Sequence, residues 1–489
     1  MIACRKQWFA VVVFFFVPFA SAENQTKVPP DVDQHIRHVI AGLVGPVVIK
    51  GDQHATHTLA ERMKDLSVPG VSVAVIHNGT IQWARGFGVR SIDGSAVDAS
   101  TLFQAASISK PLSAMAALHL VQQGKLSLDA DVNTYLTSWK LPTAPIAAGK
   151  PVTLRELLTH TGGISVHGFP GYAKTEAVPT LVQVLNGEKP ANTQPIRIEA
   201  APGDHWQYSG GGFTIMQQAL IDVTKAPYPK LMHDSVLAPI GMTHSTYQQP
   251  LPASMESDAA TPYRGDGKPV EGGAHTYPEM AAAGLWTTPS DLARYAIEVQ
   301  KSLQGKANHV LSTEMTKEMV TPGKGNWGLG LEIGGSKENP YFSHGGANEG
   351  FRCIFVAYEK TGEGAVVMTN ADGGGPLGDE IMRSIAAEYG WPDYKPETRT
   401  AITVDPKILA DYVGTYQLAP NFDLVITLEG GKLVAQGTGQ GKTDLYAESE
   451  TKFFPSVVPA VIEFVKDSQG KVTNIVLHQG GHDVKAPRK

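Results

Sequence analysis

Phe103-Gln104-Ala105-Ala106-Ser107-Ile108-Ser109-Lys110-Pro111 is the stretch from which the rest of this 489-residue chain can be read. Proline is tolerated inside a helix only in the first turn, so a helix is expected to begin close to Ser107. Residues 112–121 are apolar nearly all round, interrupted by Ser113 and His119, which is the pattern of a buried helix. Ser107 and Lys110 then share one face at its start, where hydroxyl and amine can meet. A helix N-terminus also favours developing negative charge. Burial lowers a lysine pKa and frees the amine to act as a base toward the neighbouring hydroxyl. Ser-x-x-Lys arises by chance about once or twice in a chain of this composition, so the pair needs companions.

Two later segments supply them. Tyr208-Ser209-Gly210-Gly211-Gly212 follows Pro202-Gly203-Asp204 and puts a phenol in a glycine-crowded loop before an apolar helical run. Ser343-His344-Gly345-Gly346-Ala347-Asn348 opens a strand whose glycines let a ligand approach the backbone closely. It leads into a hairpin, residues 352–358 and 364–369, turning at Glu359-Lys360-Thr361-Gly362. An early hairpin, residues 71–76 and 80–84, turns at His77-Asn78-Gly79. Between these sheet signals the patterns are helical; Thr288-Pro289-Ser290-Asp291 reads as a cap, a proline in the first turn and an acid three residues after the cap. Strands at both ends of a region with helices between them predict an α+β domain, its antiparallel sheet closed by sequence-distant pieces.

That domain is expected over residues 23–394, followed by a polar, periodless linker at 395–404. Residues 405–489 change character: short strands at 422–428, 432–436, 460–465 and 472–477 separated by glycine-rich turns, with almost no helix. This predicts a small all-β, barrel-like C-terminal domain. Residues 1–22 read as a cleaved targeting segment: Arg5 and Lys6, an apolar run, then Ala20-Ser21-Ala22. The run is short for a membrane span, so export to the periplasm or medium without an integral membrane segment is expected. Cys4 would leave with it, and Cys353, alone in an apolar strand, reads as a small core residue. Hydrophobic residues are 42% and charged residues 18%, a globular composition. A net charge of -6 without a basic block gives no electrostatic support for a nucleic-acid partner.

A Ser-Lys pair, a loop Tyr and a strand-start His-Gly-Gly, in that order, resemble the three motifs of the serine β-lactamase and penicillin-binding-protein superfamily, in its class C-like branch of esterases, peptidases and β-lactamases. Leu157-Leu158-Thr159-His160-Thr161-Gly162-Gly163 and Ala283-Gly284-Leu285-Trp286 support the likeness, which spans about residues 55–375. The resemblance implies a β-lactamase/transpeptidase-like fold and a lipocalin-like C-terminal barrel. It makes Ser107 the acyl-accepting nucleophile, with Lys110 and Tyr208 sharing the proton work and His344 contacting substrate and Tyr208. The oxyanion hole would be the backbone N–H groups of Ser107 and Ala347, meeting the need of acyl transfer for two aimed donors. Gly210, Gly345, Gly346, Asn348, Arg352 and Trp206 are the candidate substrate contacts; no metal or cofactor is implied. No Gly-x-Ser-x-Gly elbow offers the α/β-hydrolase alternative.

Two departures bear on substrate. Gly210 stands where the family carries Asn, removing the amide that orients an acylamino carbonyl. His344 replaces lysine, weakening the positive charge that attracts a carboxylate at neutral pH; Arg352 could restore it, although a solvated edge arginine is the plainer reading. Both favour a carboxylesterase-like hydrolase of small ester or amide substrates. The alternatives are a β-lactamase or D-amino-acid peptidase on cell-wall-like substrates, and a binding or sensor protein that acylates without turning over. His35 with His38, and His54 with His57, lack the carboxylate set of a metal site and read as solvated; His160 reads as a structural, backbone-bonded histidine. The sequence sets no oligomeric state.

Overall fold

Val71-Ser72-Val73-Ala74-Val75-Ile76 feeds two cores at once. Ala74 and Ile76 enter one, Val71, Val73 and Val75 the other, as the two-residue period of a strand requires. The computed structural model describes residues 30–91 and 93–489. Its central sheet has six strands: β1 (Gly70–His77), β2 (Thr80–Gly88), β3 (Glu332–Gly335), β4 (Pro340–Asn348), β5 (Phe351–Tyr358) and β6 (Gly364–Thr369). They lie in the order β2-β1-β6-β5-β4-β3, every pair antiparallel. The early and late hairpins therefore meet at β1 and β6, with Val73 opposite Val367.

Four helices matter for the site: α1 (Ser109–Gln122), α2 (Gly210–Thr224), α3 (Pro289–Leu303) and α4 (Gly374–Glu388). A single 3-10 turn, Ala106–Ile108, leads into α1, which is buried on all sides from Ser109 to Leu118. Helix α3 begins where Thr288 accepts a hydrogen bond from the Asp291 N–H at 3.2 Å. It covers one face of the sheet through Leu292, Tyr295, Ala296 and Val299, while α4 covers the other through Leu377, Ile381 and Ile385.

The segment read as a linker is held at both ends. Glu397–Arg399 pairs in parallel with Val47–Ile49, and Arg399 binds Glu448 at 3.1 Å and lies 5.4 Å over the Phe454 ring. After a short helix, Pro406–Tyr412, eight consecutive antiparallel strands form a meander that Tyr416 and Arg488 nearly close. Its interior is packed: Tyr412 stacks on Phe464 at 4.1 Å, with Tyr416 and Phe453 against the same ring. The targeting segment expected at residues 1–22 lies outside the described residues. Among the described residues no helix is long and apolar enough to cross a membrane.

Candidate active site

The 3-10 turn that carries Ser107 is entered through Ala106, whose φ of +50° places a non-glycine residue in the left-handed region. Backbone strain of this kind concentrates at sites the surrounding structure must hold in one conformation. One turn later Lys110, 1% exposed, donates to Ser107 Oγ at 2.9 Å and to the Ala282 carbonyl at 2.9 Å. Burial lowers its pKa from 10.5 to about 7. At neutral pH the amine is thus available as a base one hydrogen bond from the hydroxyl.

Tyr208 ends the loop before α2 and lines the same cleft as Ser107. Burial raises its pKa, so it stands as a neutral phenol rather than a tyrosinate base. Its ring lies 4.9 Å under the Lys110 amine and 4.3 Å from the His160 ring. His160 is 2% exposed and accepts the Ser209 N–H at Nδ1, 3.1 Å away. Its backbone bond is the expected one, and its ring in addition backs the phenol.

His344 on β4 is 3% exposed and its Nδ1 lies 2.5 Å from the Gly345 carbonyl. A carbonyl only accepts, so Nδ1 carries the proton and Nε2, which has no partner, is a lone pair. Burial, with Lys110 nearby, pushes the ring pKa from 6.5 down to about 3. The imidazole is therefore neutral throughout the physiological range, where a lysine would be a cation.

Ser107, Tyr208, His344, Gly345, Gly346, Ala347 and Arg352 line one cleft of about 730 Å³, with Lys110 buried behind Ser107. A larger, mostly apolar hollow of about 980 Å³ by Leu59, Met63 and Phe87 contains no comparable nucleophile and base. Three expected substrate contacts are not among the residues lining the cleft. Asn348 alternates with Ala347 along β4 and so turns inward, where it is 5% exposed and donates to Gln104 Oε1 at 2.8 Å. Trp206 packs behind Trp327, ring centroids 5.6 Å apart, and covers Gly325. Gly210 opens α2 beneath the Phe169 ring: a Cβ there would meet Phe169 Cε2 at 2.9 Å and the His167 carbonyl at 3.1 Å.

Two other readings change as well. Gly346 is required by its neighbour rather than by a ligand, since a Cβ would stand 2.3 Å from the Ala105 carbonyl oxygen; Gly345 has nothing nearer than 3.9 Å. Arg352 is partly exposed but not free: it binds Asp372 at 3.0 Å and the carbonyls of Asn348 and Phe351 at 2.6 and 2.8 Å. His35 and His38 both reach Glu388, at 2.6 and 3.1 Å. Cys353 is buried in β5 as expected, its thiol pushed up to about 12, although it borders the cleft.

Cleft residues not anticipated include His167, Phe169, Pro170 and Trp327 near Tyr208, and Gly374, Gly375, Gly378 and Asp379 at the start of α4. Gly168-Phe169-Pro170-Gly171 carries a turn signal, yet nothing local says where that turn is laid down. If Lys110 is the base, acylation should rise with pH as a single proton is lost near pH 7, because deprotonation creates the active form. Single-turnover rates between pH 5 and 9 measure this, and a flat profile would remove Lys110 from that role.

Residues 55–388 match the family described as Beta-lactamase, and residues 398–486 a domain of unknown function, DUF3471. Protein flp of Staphylococcus aureus (strain N315) is 25% identical over 317 residues, covering 62% of this chain and only 60% of its own length. The putative penicillin-binding protein PbpX of Bacillus subtilis (strain 168) is 26% identical over 318 residues, 63% of this chain and 72% of PbpX. Among solved structures, the octameric penicillin-binding protein homologue from Pyrococcus abyssi superposes with a TM-score of 0.61 at 22% identity, over 87% of this chain and 98% of its own. The D-alanine carboxypeptidase AmpC from Burkholderia cenocepacia gives 0.54 at 22% identity, over 73% and 99%. With a family match across most of the chain laid over a serine, a buried lysine and a phenol gathered at one cleft, the chain belongs to the serine β-lactamase and penicillin-binding-protein superfamily.

Proposed function

We propose that the protein is an exported, carboxylesterase-like hydrolase that cleaves small ester or amide substrates through an acyl-Ser107 intermediate. The observation that carries the choice of substrate is His344, a buried, neutral ring in the cleft wall where a lysine would carry a charge. A β-lactam or C-terminal peptide brings a carboxylate, and a neutral ring gives it no charge to pair with where a cation would hold it. Two further features support the same preference. The Phe169 ring takes the space of an orienting amide at position 210, and the Arg352 guanidinium is engaged by Asp372.

In this reading Ser107 Oγ attacks the acyl carbon as its proton passes to Lys110 Nζ. The backbone N–H groups of Ser107 and Ala347 receive the oxyanion. The Tyr208 phenol stays protonated and relays a proton toward the departing alcohol or amine. Water then cleaves the ester on Ser107 by the reverse proton path. Turnover of p-nitrophenyl butyrate and of nitrocefin, side by side, tests it. The ester should be turned over, nitrocefin should barely react, and Ser107→Ala should abolish both. Faster nitrocefin turnover would overturn the inference from His344 and Gly210.

A second reading, a peptidase or β-lactamase on cell-wall-like substrates, is favoured by Arg352 bordering the cleft and by relatives named a penicillin-binding protein and a D-alanine carboxypeptidase. A burst of acylation without turnover would instead indicate a binding or sensor protein.

A further inference from the structure

The cleft at Ser107 does not end at the sheet. Beyond Arg352, Cys353 and Ile354 of β5 it continues to Gly374, Gly375, Gly378 and Asp379, the first turns of α4. Gly375 and Asp379 also border a second hollow of about 760 Å³, whose far wall is the barrel: Tyr446 and residues 456–459. The two hollows thus meet across one helix face, Gly375, Gly378 and Asp379 being spaced three and four residues apart.

The glycines on that face have no structural reason to be glycine. Neither has a positive φ; a Cβ on Gly375 would meet nothing within 4 Å, and on Gly378 the nearest atom would be Ile354 Cγ2 at 3.4 Å. Their neighbours differ: a Cβ on Gly373 would meet the Leu66 carbonyl at 2.1 Å, and one on Gly374 the Thr369 hydroxyl at 1.7 Å. Glycine in a helix is less stable than alanine, so two that packing does not require leave an open floor. At the end of that floor the barrel presents Val457, 57% exposed, and Val458, 38% exposed. Asp379 stands at the waist of the groove, and beyond it Arg383 and Arg62, the latter paired with Glu380 at 2.8 Å, line the same hollow, so the charges nearly balance and favour no charged tail.

We infer that the acyl chain of the substrate runs from Ser107 across the glycine face of α4 and ends against Val457 and Val458, making the C-terminal barrel the element that selects long, uncharged alkyl chains. The packed interior of the barrel agrees with this: its outer loop, not a central cup, meets the ligand. The inference rests on the acyl-transfer reading above, and its test is chosen so that the two fail separately.

The test is the rate at which Ser107 is labelled by alkyl fluorophosphonates carrying an ethyl or a decyl chain. Ser107 Oγ bonds to phosphorus as fluoride leaves, and the serine proton passes to Lys110. The full-length protein should label at least about tenfold faster with decyl than with ethyl, since each buried methylene adds to binding. In Gly375→Phe, which fills the floor, and in Val457→Asp/Val458→Asp, which charges its end, that ratio should fall toward one. A merely structural defect would slow both probes together and keep the ratio. Equal rates in the unaltered protein, or an unchanged ratio in both variants, would overturn the inference. An enzyme that labels but does not turn over p-nitrophenyl butyrate would overturn the hydrolase reading alone, and failure of both probes to label would overturn both.

Discussion

Lys110→Met is expected to lower kcat/KM about 10³-fold while making the protein more stable. A positioned general base contributes roughly 10²–10⁴ in rate, and no other group in the cleft can replace this one. Tyr208 is held protonated by burial, and His344, although it offers a lone pair, has a pKa near 3 and is a weak base. The same burial is a cost to the fold. In the unfolded chain a lysine titrates at about 10.4; in the folded protein Lys110 does so at about 7.

Between those values the unfolded state holds a proton that the folded state has released, so stability rises with pH from about 7 to about 10.4. Below about 7 both states are protonated and this slope vanishes. Methionine has similar length and no charge, and the replacement should add about 1–3 kcal/mol at neutral pH. Urea unfolding at pH 7 and pH 9 measures both effects: the variant should be more stable at pH 7, and the gap should narrow at pH 9. Equal stability at both pH values would mean that the amine is solvated, and the argument for its basicity would go with it.

The second large effect is expected at Gly346. A methyl there would stand 2.3 Å from the Ala105 carbonyl oxygen, which is backbone and cannot rotate away as a side chain would. Relief requires β4 to withdraw from the turn that carries Ser107, taking the Ala347 N–H with it. Overpacking of this kind costs about 1–3 kcal/mol. Loss of one aimed oxyanion donor costs roughly 10²–10³ in rate. Gly346→Ala should therefore show both a lower urea midpoint and a collapse of kcat with little change in KM. Gly345→Ala, with 3.9 Å to its nearest neighbour, should unfold at the urea concentration of the unaltered protein. Normal turnover in Gly346→Ala would show that β4 does not supply the oxyanion donor.

Residues whose meaning lies in near neighbours are legible from the order of amino acids. Pro111 and the apolar run after it place α1, and with it the Ser107–Lys110 hydrogen bond, because three residues of helix fix that separation whatever surrounds it. Thr288 and Asp291 mark the start of α3 for the same reason. The hairpins around residues 78 and 361 declare their own register through their turns. Residues whose neighbours arrive from far along the chain are not legible in this way. Asn348 reads as a ligand contact from its place in a motif, but strand alternation turns it to Gln104, which is 244 residues away. Trp206 reads either as packing under the site or as a pocket wall, and only the fold shows that it packs behind Trp327, which lines the cleft.

Periodicity, proline placement and caps act over a few residues, and they suffice for the nucleophile's local setting, the α+β sheet and the all-β tail, while the family is carried by the resemblance of three ordered motifs. The charges and the shape of the cleft exist only in the folded chain. His344 is neutral and Lys110 half-deprotonated near pH 7 because the packed protein excludes water from both. Phe169 fills the place of a side chain at position 210 because two loops cross there. The first helical turns of α4 meet the barrel because Glu397–Arg399 is paired with Val47–Ile49. Desolvation and steric contact between distant segments have no local signature, so they arise only when the chain is folded.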